Sequence, residues 1–317
     1  LYQAHNVGRP GPDSRANELN ATRLLEFFDQ RRDRGEPLVL VTVFETEGST
    51  YSKAGAQMLV DGDGVFRGML SGGCLEGDLA VRAGQVLESG APQVATYDLG
   101  QDDDELWGMG VGCDGLMRMV LQPLRPESGY EPFATIATIL RGDEPKELAL
   151  KVDAGDIDTI RLLVQPPPQV LVLGAGLDAE PVVRFAAELG WRCTVADHRP
   201  AYLQNGDFAA AVGTSCQPAG ELSAALDLER FDAAIVMSHH LVSDRTYLAQ
   251  LAKSGVPYIG LLGPKHRRER LLADLGDKTG DLEGRLHGPA GLDIGGRGPG
   301  PIALSIVAQV QKMLSGG

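Results

Sequence analysis

Positive charge is what this 317-residue chain has least of: 29 Lys and Arg stand against 43 Asp and Glu, a formal net charge of −14. Nucleic-acid recognition relies on clustered Lys and Arg that displace counterions from phosphates, so this balance argues against a nucleic-acid partner. It argues equally against an anionic membrane surface. No apolar run approaches the roughly 20 residues that a membrane-spanning helix needs. Cysteine is scarce as well: Cys74, Cys113, Cys193 and Cys216 are widely spaced, with no CxxC pair. That pattern fits neither a disulfide scaffold nor a structural zinc site, and the reducing cytoplasm is the expected compartment. Internal repeats are absent, and the one low-complexity tract is Pro166-Pro167-Pro168. Leu1 to Asp13 are polar and rich in Gly and Pro, so residues 1–16 are read as a flexible N-terminus rather than a signal peptide. The remaining composition, 43% hydrophobic and 23% charged, is that of an ordinary soluble protein long enough for two domains.

Gln165-Pro166-Pro167-Pro168-Gln169 is a stiff extended segment that separates two halves. After it, Val170 to Leu173 is a short all-apolar run, as in a strand buried on both faces. Gly174-Ala175-Gly176-Leu177-Asp178-Ala179 follows, then an amphipathic stretch from Pro181 to Leu189 and a second apolar run, Cys193 to Ala196, that ends at Asp197. An acid about 20 residues after the glycines, with strand and helix on either side, is the dinucleotide-binding fingerprint. Strand-like Ala233 to Met237 and Pro257 to Leu262 alternate with helical Val242 to Lys253, a helix after Pro264, and a last helix from Pro301 to Leu314. This alternation predicts a doubly wound parallel sheet. The first half mixes a helix over Asn20 to Arg34 with strands at Leu38–Thr46, Val94–Leu99 and Met117–Leu121. The expected fold is therefore of α/β class: an N-terminal α+β domain over 17–165, followed by a Rossmann-like domain over 166–317.

Ser71-Gly72-Gly73-Cys74-Leu75-Glu76-Gly77 delivers a cysteine to the start of a helix, whose periodicity runs through Leu75, Leu79, Ala83, Val86 and Leu87. Upstream, Asp61-Gly62-Asp63-Gly64 marks a tight turn between two strands, Gln57 to Val60 and Val65 to Leu70. A helix N-terminus favours an anion, and a thiol held there has a lowered pKa, which suits soft-metal binding or sulfur carriage. The plainer alternative is a small cysteine packed behind a turn. Trp107 to Gly115 places Cys113 among Gly108, Gly110, Gly112 and Gly115, where a ligand can approach the backbone closely. The two thiols either converge on one site or sit in unrelated glycine bulges. Asp102 to Glu105 reads as a solvated loop. Glu45 reads as a loop residue at the sheet edge, and Glu47 is either that or an orienting group for Ser49 and Lys53. In the second half, Gly174, Gly176 and the helix start form an anion cradle. Asp197 is placed to accept from a ribose hydroxyl, and Arg199 to meet a phosphate. Ser238-His239-His240 ends a parallel strand, where open sheets bind ligands, so His239 is a candidate acid–base, metal or cofactor contact. Cys193 is read as packing.

Together these segments resemble the XdhC/CoxI family, accessory proteins that mature molybdenum hydroxylases. The resemblance is carried by Thr46-Glu47-Gly48-Ser49, Gly55-Ala56, Ser71 to Gly77, Asp103 to Gly108, Gly112-Cys113, Val172 to Gly176, Asp197-His198-Arg199 and His287-Gly288-Pro289-Ala290-Gly291-Leu292-Asp293-Ile294-Gly295. It spans nearly the whole chain after Asn17. Two positions depart from the family pattern, Asp114 after Cys113 and Leu241 after His240. The resemblance implies a homodimeric chaperone of the molybdenum cofactor in its molybdopterin form. Its partners are an apo xanthine dehydrogenase-type hydroxylase and a cysteine desulfurase. Cys74 and Cys113 are then molybdenum ligands or a sulfur relay, with Gly72, Gly73, Glu76, Gly112, Gly174, Gly176, Asp197, Arg199 and His239 as cofactor contacts. An anionic, sulfur-bearing cofactor with a thiophilic metal suits thiolates beside glycine N–H groups. Two other readings stay open, an NAD(P)-dependent oxidoreductase and a nucleotide-gated sensor. Four cysteines cannot supply two Cys₄ iron–sulfur clusters, which argues against the chain being a complete xanthine dehydrogenase.

Overall fold

The computed structural model describes residues 21–99 and 115–316, divided into two compact units between Pro166 and Pro167. The first unit opens with helix α1 (Ala21–Arg32), which buries Leu24, Phe27 and Phe28. Strand β1 (Leu38–Glu47) is buried on both faces over its first six residues, which explains its unbroken apolar run. β2 (Gln57–Asp61) and β3 (Phe66–Arg67) form a hairpin whose turn is held by the Asp61 side chain, accepting from the N–H groups of Asp63 and Val65 at 3.0 and 2.8 Å. This second strand is shorter than the expected Val65–Leu70. Helix α2 (Glu76–Ser89) and strands β4 (Gln93–Asp98) and β5 (Leu116–Leu124) complete an antiparallel sheet in the order β3-β2-β1-β5-β4.

Strand alternation splits this sheet between two cores. Val39, Val41 and Val43 face Leu75, Leu79, Ala83 and Val86 around α2. Leu38, Leu40 and Leu59 face the opposite side. There they meet α1, helix α3 (Phe133–Arg141) and a hairpin of β6 (Lys146–Ala154) with β7 (Ile157–Val164).

The second unit is a wholly parallel sheet of β8 (Gln169–Leu173), β9 (Arg192–Asp197), β10 (Gly213–Cys216), β11 (Ala233–Val236), β12 (Tyr258–Leu261) and β13 (Leu286–His287). Its order, β10-β9-β8-β11-β12-β13, reverses direction between β8 and β11, the Rossmann arrangement with its switch point there. Helices α4 (Ala179–Glu188) and α9 (Pro299–Leu314) cover one face through Val170, Val172, Val195 and Ile235. Helices α7 (Leu241–Leu251) and α8 (Lys265–Leu275) cover the other through Leu171, Leu173, Ala234 and Ile259. The short helices α5 (Pro200–Asn205) and α6 (Leu222–Ala225) bridge strands. Among the described residues no helix is long and apolar enough to cross a membrane.

Candidate functional site

The Cys74 turn is built by a buried carboxylate. Glu76, the first residue of α2, is 2% exposed. Its carboxylate accepts from the backbone N–H groups of Leu70 (2.8 Å), Ser71 (2.9 Å) and Gly73 (3.0 Å) and from the Ser71 hydroxyl (2.5 Å). The Ser71 hydroxyl oxygen in turn accepts from the Leu75 N–H at 2.7 Å. Burial opposes the charge, but these donors outweigh it and hold the Glu76 carboxyl below its ordinary pKa. Glu76, expected among the cofactor contacts, shapes the turn through these bonds. Gly72 and Gly73 carry φ of 73° and 113°, a left-handed path that side chains rarely adopt. The turn carries the chain to Cys74, one residue before the N-cap Leu75, half-buried with its side chain against the α2 core.

The segment after β1 braces this turn and the chain leading into it. The Tyr51 ring lies under Gly72, where a Cβ would come within 3.3 Å of it, and the Tyr51 hydroxyl donates to the Met69 sulfur at 3.4 Å. The Ser52 hydroxyl donates to the Met69 carbonyl at 3.3 Å. Gly115 packs so tightly on the Glu47–Thr50 segment that a Cβ would sit 2.5 Å from the Thr50 methyl and 2.6 Å from the Ser49 carbonyl. The carbonyl of Gly115 also accepts from the Leu99 N–H at 2.8 Å. Gly112, Cys113, Asp114 and the Asp102–Glu105 run lie outside the described residues. Glu45 lies within β1 and not in the expected loop, paired across to Arg118 of β5 at 2.9 Å, and Glu47 is exposed at the strand end. Behind the turn, Asp78 accepts from Arg82 and from the Tyr97 hydroxyl, each at 2.6 Å, fastening α2 to β4. Burial and the Asp78 charge push the Tyr97 phenol well above its ordinary pKa.

In the second unit the glycine fingerprint is tied down by its own side chains. At Gly174 (φ 121°) a Cβ would lie 2.5 Å from the Ser238 Cα, so the glycine permits β8 and β11 to run together at the switch point. Asp197 is fully buried, and its two oxygens accept from the Ala175 N–H (2.7 Å) and from the Arg199 N–H, Nε and Nη2 (2.9, 2.9 and 2.7 Å). Burial opposes its ionisation; the Arg199 bonds and the backbone N–H groups prevail and lower its pKa. Arg199 lies 3.7 Å over the Tyr202 ring and donates to the Ser238 carbonyl. The Asp197 carboxylate, expected as a ribose contact, is a strap joining the ends of β8 and β9, with no exposed surface. Arg199 is held in the same strap.

Asp178, which sequence reasoning passed over, stands at the N-terminal boundary of α4 with no capping bond from its side chain, and its carboxylate lies 2.6 Å from His239 Nε2. It puts an acid where a cofactor phosphate approaches a fingerprint helix. Gly176 packs against both, a Cβ there falling 2.9 Å from Asp178 Oδ1 and 3.9 Å from the His239 ring. His239 is exposed and left-handed at φ 59°. Beside it, the rings of His198 and His240 are 5.8 Å apart, with the Ser243 hydroxyl 2.9 Å from His240 Nδ1. The buried Asp244, bound to the Ser238 hydroxyl (2.5 Å) and to Arg267 (2.7 Å), supports the strand end. Asp178 could have been found as an acid inside a phosphate-binding turn; Ser243, Asp244 and Arg267 carry no linear signal.

His287, at the head of the His287–Gly295 motif, stacks on Tyr258 with centroids 4.7 Å apart. Burial and the neighbouring Arg268 charge push its pKa down. The Gly291 N–H and the Tyr258 hydroxyl both donate to Gln309 on α9, at 2.7 and 2.6 Å. This motif packs the sheet edge. Cys193 lies in β9, fully buried, its thiol pushed up to about 12 by burial, and Cys216 is exposed. No group of three or more His, Cys, Asp or Glu suited to holding a metal occurs among the described residues.

An α+β unit carrying a thiol turn, followed by a Rossmann unit, defines the class of protein. Comparison with known proteins makes it particular. Residues 31–98 match the XdhC and CoxI family, and residues 170–310 match the XdhC Rossmann domain. A crystal structure of a xanthine dehydrogenase from Bacillus halodurans shares the fold with a TM-score of 0.78 at 30% identity, over 92% of this chain and 96% of that one. A Bacillus subtilis protein, named as a probable subunit of xanthine dehydrogenase, is 29% identical over 320 residues, 90% of this chain and 95% of its own. The Escherichia coli molybdenum cofactor insertion chaperone PaoD is 25% identical over 309 residues, 92% of this chain and 87% of its own. The chain belongs to the XdhC/CoxI family.

Proposed function

We propose that the chain is an accessory protein of xanthine dehydrogenase maturation: it takes up the molybdenum cofactor as cargo, assists its sulfuration with a cysteine desulfurase, and delivers it to an apo-hydroxylase. The likeness to PaoD supports the cargo. The observation that carries the reading to residues is the Cys74 turn, where a buried Glu76 carboxylate gathers three backbone N–H groups and a hydroxyl to set a half-buried thiol at the start of α2. A structure that organised serves presentation of the thiol, and thiols bind soft, thiophilic metal centres. Cys113 is the second thiol of the proposal. Its neighbour in sequence, Gly115, is packed on the segment whose Tyr51 underlies Gly72.

In this reading Cys74 and Cys113 hold the metal end of the cargo, Gly72 and Gly73 let it approach the backbone, and Glu76 and Tyr51 keep the turn in shape. The test is anaerobic titration with isolated molybdenum cofactor, then gel filtration and metal analysis of wild type, Cys74→Ala and Cys113→Ala. Stoichiometric molybdenum on the wild type, lost from the variants, is the expected result. Equal retention by the double Cys→Ala variant refutes the thiol assignment. No retention by wild type, with tight NAD(P)H binding instead, favours the oxidoreductase or the sensor.

A further inference from the structure

The first unit contains a cavity of about 220 Å³ on the face of the sheet that carries α1 and α3. Leu24 of α1, Phe44 of β1 and Leu162 of β7 give it apolar walls. Four of its lining residues are polar: Thr42, Gln57, Arg161 and Gln165. Thr42 and Gln57 are direct cross-strand partners on β1 and β2, and both line the cavity. Thr42 is 0% exposed, and its hydroxyl has no hydrogen-bond partner among the described residues; nor has the buried Gln57 Nε2. Buried polar groups are nearly always paired, because leaving one unpaired forfeits its hydration for nothing. Two such groups side by side on one wall mark a place where hydrogen bonds are completed by something that enters.

We propose that this cavity receives the uncharged pterin end of the cofactor. The proposal rests on the reading of that cofactor as cargo. The amide of Gln57 supplies donors and the Thr42 hydroxyl both donates and accepts, which matches the alternating carbonyl, ring-nitrogen and amino edge of a fused pyrimidine. Both unpartnered atoms belong to neutral groups, which suits the edge of a heterocycle, and Arg161, which also lines the cavity, supplies a cation for the anionic remainder of the cofactor. The volume lies below the roughly 300–1,000 Å³ of pockets that engulf a whole drug-sized ligand, so the cavity takes one end of a larger molecule. It also adjoins the thiol turn. Met69 lines it, and the sulfur and carbonyl of Met69 are held by Tyr51 and Ser52, the pair that braces Gly72 and the chain leading to Cys74.

The experiment is a fluorescence titration of the full chain with 6-methylpterin, for wild type, Thr42→Val and Gln57→Leu, paired with thermal melts of the ligand-free proteins. Wild type quenches the pterin, and each variant binds it at least tenfold more weakly. The variants melt no lower than wild type, because each replaces an unpaired buried polar group by an apolar one of similar shape. That separates lost recognition from lost folding. Absence of quenching by wild type overturns the proposal, as does equal affinity in all three proteins. Pterin binding by a chain lacking residues 1–20 but not by the full chain also overturns it, in favour of that segment as occupant. The molybdenum-retention assay keeps the two readings apart: metal lost from Cys74→Ala, with pterin affinity indifferent to Thr42 and Gln57, leaves the carrier standing and removes the cavity from it.

Discussion

Glu76 turns a negative charge inward at the very place where a helix N-terminus and a glycine turn offer N–H groups to an anion. The protein supplies its own anion there, so the turn is set before any cargo arrives. Glu76→Gln keeps the size but aims an amide N–H₂ at donors, and it weakens bonds that are charge-assisted. The expected loss is about 2–3 kcal/mol, read by urea unfolding. The pKa of Glu76 is lowered in the fold, so its contribution is complete above the unfolded carboxyl's pKa and is lost as pH falls through the folded value. The stability gap between wild type and Glu76→Gln should therefore be full at neutral pH and close in acid below the ordinary carboxylate range; a gap that persists there contradicts the assignment. The cysteines differ in the same local terms. Brief N-ethylmaleimide treatment followed by mass spectrometry should modify the exposed Cys216 and the half-buried Cys74 while sparing Cys193, whose thiol is buried and raised to about 12. Modification of Cys193 at a comparable rate shows its strand opening readily.

At the scale of elements, β8 and β11 approach each other through Gly174, and nothing larger fits. Gly174→Ala puts a methyl against the Ser238 backbone in a left-handed conformation and should cost about 3 kcal/mol, measured as a lowered urea midpoint with unchanged slope. An effect within experimental error rejects the close approach. Asp197→Ala removes the strap between β8 and β9, leaves the Ala175 N–H and Arg199 without their acceptor, and should cost about 2–4 kcal/mol. This strap also shows how far the sequence can be read. The strand, glycine turn, helix and acid of 170–197 are legible because each is local: an apolar run, Gly-x-Gly, a 3.6-residue period and a fixed spacing. The helix from Glu76 and the turn at Asp61 are legible for the same reason. The use to which Asp197 is put is not, since the spacing that suits a ribose is equally satisfied when Arg199, two residues on, folds back onto the carboxylate. The bonds of Glu76 are hidden in the same way, its partners lying in a turn without periodicity. The β6–β7 hairpin, absent from the sequence reading, does carry a linear signal: Leu148, Leu150, Val152 and Ala154 alternate with exposed Glu147, Ala149, Lys151 and Asp153. The cavity at Thr42 and Gln57 depends on cross-strand register, which no linear pattern contains.

At the scale of the molecule, the four apolar clusters among the described residues divide two and two between the units, and none of these contains residues of both. Each unit thus has the sheet, the covering helices and the separate core that independent folding requires. The turn that carries the thiol draws its stability from the first unit, and the tied-down fingerprint draws its own from the second. Calorimetry of the full chain should then resolve two transitions. Glu76→Gln should lower one of them and Gly174→Ala the other, each by about 5–10 °C, since a kcal/mol moves the melting of a unit this size by roughly 2–4 °C. A single transition lowered by both substitutions refutes the division and makes the Rossmann unit part of what holds the thiol turn in shape. Two transitions, each answering to one substitution, make cargo uptake at Cys74 separable from whatever the second unit recognises, so that Gly174→Ala should leave molybdenum retention intact at temperatures where the first unit remains folded.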